Sequence, residues 1–125
     1  MAGGGFHGNP NLLERQFAVL NPELLYTGNG ILWKWLPKLG HHKNPDFILP
    51  GPDPQHPKKD VVKVVEVFGD FWHSRMFTGR ANFEHESELV EAYQDIGIIC
   101  LIVWESEVKK DSTSVRQRVK DFLAS

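Results

Sequence analysis

The sequence predicts an α/β layer fold, with a mixed β-sheet flanked by helices, and three observations carry that prediction. Residues 61–68 and 98–104 are short runs dense in β-branched and other apolar side chains, the pattern of strands buried on both faces. Residues 82–96 and 111–125 repeat apolar side chains at helical spacing. The chain has 125 residues, 41% of them hydrophobic, which suffices for one core and is too short for two full-sized domains.

Taken in order, Asn9-Pro10 opens a helix with a capping side chain followed by proline at the first helical position. Leu13, Phe17 and Leu20 form its apolar stripe, Glu14 flanks that stripe, and Asn21-Pro22 ends it. Residues 26–36 read as a hairpin or strand pair, with Gly28-Asn29-Gly30 as the turn and an aromatic continuation through Trp33 and Trp35. Residues 44–50 form a short strand bounded by Pro45 and Pro50, and the proline-rich stretch 51–59 is a loop. Residues 61–68 are the central strand. The helix over 82–96 has Leu89, Val90, Tyr93 and Ile96 as its core face, and Gly97 lies just past its end. Residues 98–104 form the most apolar strand. Asp111 or Ser112 caps a last helix built on Val115, Val119, Phe122 and Leu123. The predicted order is α, β, β, β, β, α, β, α. Residues 1–8 are glycine-rich and read as a flexible leader, and 9–125 as a single domain that could belong to a longer chain.

Composition narrows the function classes. The lone Cys100 excludes a disulfide framework and a zinc site built mainly on thiolates. No run approaches the roughly 18 apolar residues of a membrane span. No export signal is visible, so a cytoplasmic setting without membrane partners is expected. The net charge of −2 hides a strong segregation. Residues 27–80 carry eight lysines and arginines against five acids, whereas 81–108 carry seven acids and no lysine or arginine. A basic middle can therefore face phosphates beside an acidic helix.

Three features carry chemistry. Asp46 follows Pro45 where a strand enters the core; it is either a strand-end cap or a ligand. Glu66 stands inside an apolar strand, where a carboxylate needs a partner. Together they outline a metal-dependent nuclease site, in which two strands bring carboxylates to one hard cation. The lysine such a site would place two residues after the glutamate is absent, because Phe68 stands there. The third feature is Phe68-Gly69-Asp70-Phe71-Trp72-His73, two adjacent large aromatics and a histidine just past the strand.

With Asn44-Pro45-Asp46-Phe47 upstream and Leu101-Ile102-Val103-Trp104-Glu105 downstream, this segment resembles the very-short-patch-repair endonucleases. It is more similar still to the related EDxHD homing endonucleases encoded by mobile elements in phage genomes. The likeness runs from about residue 12 to 105 and implies the restriction-endonuclease-like core. It implies that Asp46 binds metal, that His73 is the general base, and that Glu14 reaches over the site from the first helix. Phe71 and Trp72 match aromatics that wedge between base pairs, though plain core packing is the alternative. Asn82 and Glu86 match an asparagine and acid pair at the start of the following helix, with Glu84 and Glu88 close by. The zinc ligands of the repair enzymes correspond to Asp70, Arg75 and Ser106, so no structural zinc is expected. Alignment on the Trp-His pair puts the Val67 carbonyl, rather than the Glu66 side chain, toward the metal.

The implied function is a DNA endonuclease using Mg²⁺ or Mn²⁺ on double-stranded DNA. Phosphate contacts are expected from Lys58, Lys59, Arg75 and Arg80, and among Lys34, Lys38, Lys43 and Lys63, with loop 51–59 the mobile contact. A mismatch-nicking repair enzyme and a catalytically silent DNA-binding module of the same fold remain alternatives. One site per chain implies a nick, so a double-strand break would need self-association or a further DNA-binding domain.

Overall fold

The structure is a computed structural model and describes residues 11–69 and 82–125, with helical side chains after the gap from residue 85. Helix α1 (Leu12–Leu20) begins where the Asn11 side chain accepts the Glu14 N–H at 2.8 Å and the Glu14 carboxylate accepts the Asn11 N–H at 3.0 Å. This reciprocal box satisfies two of the donors a helix start leaves open. The cap is thus Asn11 rather than Asn9, which lies with Pro10 and the expected leader 1–8 outside the described residues.

Strand β1 (Leu25–Tyr26) pairs antiparallel with β4 (Phe47–Ile48), not with the segment that follows it. The expected hairpin on Gly28-Asn29-Gly30 therefore does not form. The reason lies in Asn44, whose amide donates to the Thr27 and Leu32 carbonyls, each at 2.7 Å, and accepts the Gly30 N–H. One side chain takes the backbone groups of that loop that a ladder would otherwise have used. The hairpin forms ten residues later, between β2 (Lys34–Leu36) and β3 (His41–Lys43), the latter not foreseen. Gly40 closes its turn at φ 70°, a left-handed conformation that glycine adopts without strain.

Strand β5 (Lys63–Phe68) is the centre of a four-stranded sheet ordered β1-β4-β5-β6. It is antiparallel to β4 and parallel to β6 (Ile99–Trp104), with Val64 opposite Cys100 and Phe68 opposite Trp104. Helix α2 (Asn82–Gln94) makes the crossover. It stops two residues before the expected end, because Gly97 at φ 81° turns the Ile98 N–H back onto the Tyr93 carbonyl. A short helix α3 (Glu105–Lys110), absent from the sequence reading, follows β6 directly. Asp111 then caps α4 (Ser112–Ala124) by accepting the Ser114 N–H.

The sheet is covered on both faces, as the apolar runs require. Ile48, Val64, Phe68, Cys100 and Ile102 pack toward α2, against Leu89, Ala92 and Tyr93. Phe47, Val65, Val67 and Val103 pack toward α1, α3 and α4, against Phe17, Val108, Val115 and Val119. Even-numbered residues of β5 thus face α2 and odd-numbered ones face the other helices, the period-two alternation of a strand. The mixed α/β class expected from the sequence is what forms. Among the described residues, no helix is long and apolar enough to cross a membrane.

Candidate active site

The strand directions bring several predicted residues to one end of the sheet, the carboxyl end of the parallel pair β5 and β6. Ligand sites of open α/β sheets favour that end, where loops leave the strands. Asp46 enters β4 there, one position beyond the pairs Phe47–Val65 and Ile48–Val64, which puts it opposite Glu66. Its Oδ2 accepts the Val67 N–H at 2.8 Å. Its backbone is fixed as well. The Thr27 and Gly28 amides donate to the Asp46 carbonyl, and the Thr27 hydroxyl donates to the Pro45 carbonyl at 2.7 Å.

Glu66 is completely buried, and its partners explain how. Lys43 Nζ lies 3.0 Å from Oε1, and the Tyr93 hydroxyl donates to Oε2 at 2.7 Å. Strand β5 pairs continuously with β6 through this stretch, so Glu66 points to the α2 face and Val67 to the opposite one. The Val67 group that meets Asp46 is its amide. Lys43 comes from the hairpin end and is half-buried; it is held by an acid rather than presented to phosphate.

The electrostatics are unbalanced at Asp46. Burial pushes its carboxyl well above the usual aspartate range, and the Glu66 charge raises it further. Lys43 and the Val67 N–H pull the other way without cancelling that rise, and Glu14 adds to it. Lys43 is lowered by burial but raised on balance by Glu66 and Asp46, so it keeps its proton. Burial and then Glu66 raise Tyr93, which stays a donor. The same two causes, in the same order, keep the Cys100 thiol protonated.

Glu14 reaches this end indirectly. Its Oε1 accepts the Tyr26 hydroxyl at 3.2 Å, and the Tyr26 ring packs on Phe47, the residue after Asp46, at 5.4 Å. Glu86 accepts the indole N–H of Trp104, whose ring meets Phe68 edge-on at 5.2 Å; it therefore lies over the ends of β5 and β6. His73, Phe71, Trp72, Arg75, Arg80, Asp70 and the side chains of Asn82 and Glu84 fall outside the described residues.

Three expected phosphate contacts lie elsewhere. Loop 51–59 joins the end of β4 to the start of β5, at the opposite end of the sheet from Asp46. It is closed on itself by Gly51 N–H to Pro57 carbonyl at 2.7 Å, which keeps exposed Lys58 and Lys59 at that far end. Lys63 is buried and donates to main-chain oxygens of Phe122, Leu123 and Ser125, at 2.9, 3.1 and 2.6 Å. It caps the last turn of α4, a favourable site for a cation, and is not a phosphate contact.

Sequence reasoning missed Lys43 as the counter-ion of Glu66, Tyr93 as its second partner and Thr27 as the residue whose amide and hydroxyl hold the backbone at Pro45 and Asp46. The Tyr93 position on the core face of its helix was a usable signal; the Lys43 pairing left none, since it spans 23 residues. The oxygens of Asp46 and Glu66 at this end are of the kind a hard divalent cation takes, and a cation there would favour the ionised form of the Asp46 carboxyl. Among the described residues, no group of three or more His, Cys, Asp or Glu side chains forms a metal cage. Comparison with protein-family models, with curated proteins and with solved structures finds no match to this chain.

Proposed function

We propose that the chain is a metal-dependent DNA endonuclease domain of the homing type, hydrolysing phosphodiester bonds. The observation that carries this reading is Asp46. It is a partly buried carboxyl beside the carboxyl end of a parallel strand pair, opposite a fully buried acid, with its proton affinity raised by burial and by that neighbour. The Pro-Asp and Phe-Trp-His strings supply the reaction class.

Asp46, with Glu66 or the Val67 carbonyl, would hold Mg²⁺ or Mn²⁺, which when bound supplies charge neutralisation at the phosphate and at the leaving oxygen. His73 takes the proton of the attacking water, a task suited to an imidazole near neutral pH. Glu86 holds that imidazole in one tautomer and favours its cation. Glu14, positioned through Tyr26, orients water above Asp46.

Nicking of supercoiled plasmid with Mg²⁺, with chelator and with His73→Ala tests the proposal. Cutting that needs the metal and His73 supports it; cutting that persists in His73→Ala, or none at any metal concentration, overturns it. One observation favours a second reading. The Lys43 ammonium already balances Glu66, as expected of a silent DNA-binding module that keeps the fold. That reading predicts DNA binding without cutting.

A further inference from the structure

We propose that the β2–β3 hairpin is a nucleic-acid contact in its own right, with Trp33 and Trp35 stacking on bases and Lys34 and Lys38 meeting phosphates. The proposal rests on the nuclease reading for the identity of the polymer as DNA.

Two of the chain's four tryptophans lie here, and they are 56% and 50% exposed. So much indole surface in water is unfavourable unless something covers it. Trp35 stands in the middle of β2, and Trp33 lies two residues earlier, just before the strand begins. They are also held in place. The Trp33 indole N–H donates to the Gly30 carbonyl at 2.9 Å, and the Trp35 ring is braced edge-on against His42, its cross-strand partner, at 5.1 Å. A braced ring loses little rotamer freedom when a base stacks on it.

The charge pattern selects the occupant. Residues 27–45 contain Lys34, Lys38, Lys43, His41 and His42 and no aspartate or glutamate. Flat aromatic faces interleaved with cations and free of acids match a polyanion that also carries π-faces, which is a nucleic-acid strand. The other side of the hairpin anchors it. Leu36 is fully buried in the α2-side core, and Lys43 reaches Glu66. The chain then passes through Asn44 and Pro45 directly into Asp46, so a strand held on the tryptophans is tethered beside the candidate catalytic acid.

The test is fluorescence anisotropy of labelled single-stranded and duplex DNA with the full chain in chelator, where nothing is cut, together with quenching of tryptophan emission. Trp35→Ala should weaken binding about 10-fold, and Trp33→Ala by a similar factor. Trp35→Phe, which keeps a stacking face, should stay within about threefold of wild type. Replacing Lys34 and Lys38 together by alanine should reduce the slope of log affinity against log salt by about two. Unchanged melting temperatures would show that the exposed-site variants fold. Wild-type binding that Trp33 and Trp35 replacements leave intact overturns the proposal while plasmid nicking stands. Loss of a dimer in Trp35→Ala on sedimentation, with DNA binding intact, also overturns it, by assigning the face to a second copy of the chain. Hairpin-dependent binding without plasmid nicking supports the hairpin and overturns the nuclease reading.

Discussion

At the start of β5, the Lys63 ammonium is buried and satisfied by main-chain oxygens at the end of α4. At the other end of the same strand, Glu66 is buried and satisfied by Lys43 and Tyr93, yet the partners of Asp46 beside it do not offset the cost of ionising its carboxyl. The first end is electrostatically complete: one cation meets the oxygens that a helix terminus leaves without partners. The second holds two acids against one lysine. A buried charge that is fully answered contributes to holding the fold; one that is not raises the energy of the resting protein and favours a cation from outside.

The largest expected effect breaks the second end. Asp46→Asn keeps an oxygen for the Val67 N–H and removes the charge, so cutting should fall about 1,000-fold or more in the plasmid assay while the chain stays folded. The raised carboxyl has a consequence for stability. The unfolded state loses this proton at lower pH than the folded state does. Metal-free wild type should therefore lose stability as pH rises above the ordinary aspartate range toward the raised folded value, and Asp46→Asn should flatten that slope in melts against pH. Added Mg²⁺ should raise the wild-type melting temperature and leave that of Asp46→Asn nearly unchanged.

Glu66→Ala comes next. It leaves the half-buried Lys43 ammonium and the buried Tyr93 hydroxyl without their partner and should cost about 3 kcal/mol in urea unfolding. Glu66→Gln, which can still accept from Tyr93, should cost less. At the opposite end, Lys63→Met should cost about 1–3 kcal/mol, because the α4 carbonyls lose their donor. Cutting should be unaffected there, and a Lys63→Met variant that folds but does not cut would dissolve the contrast between the two ends.

The smallest effect is on the surface, where Arg116 meets Glu23 through two 2.7 Å contacts. The Arg116 hydrogen bond holds the Glu23 carboxyl down to about 2, from an ordinary 4.5. A lowered acid contributes stability above its unfolded value and loses it as pH falls through the folded one. Arg116→Ala should therefore melt slightly lower than wild type at pH 5, with the difference closing by about pH 2.

Much of the fold was legible in the residues. The buried strands at 61–68 and 98–104, the α2 and α4 core faces and the mixed α/β class all follow from apolar periodicity, because burial on a sheet face or helix stripe leaves its period in the sequence. The need of Glu66 for a partner was legible for a related reason: an acid inside an apolar run cannot stay unpaired. The hairpin was misplaced because Gly28-Asn29-Gly30 carries turn residues whatever its neighbours do, and the Asn44 side chain overrode their local preference. Helix α3 was missed because six residues are too few for periodicity to speak.

The sequence by itself thus determined which segments are buried, which residues are acids in unfavourable surroundings and where basic and acidic charge concentrate, since each depends on composition and local spacing. Only the tertiary structure decided which charges meet. It sent Lys43 to Glu66, Lys63 to the end of α4, and Lys58 and Lys59 to the far end of the sheet from Asp46. Ion pairs and charge-assisted hydrogen bonds depend on distance in space and not along the chain, so partners 23 and 59 residues apart leave no mark in the order of residues.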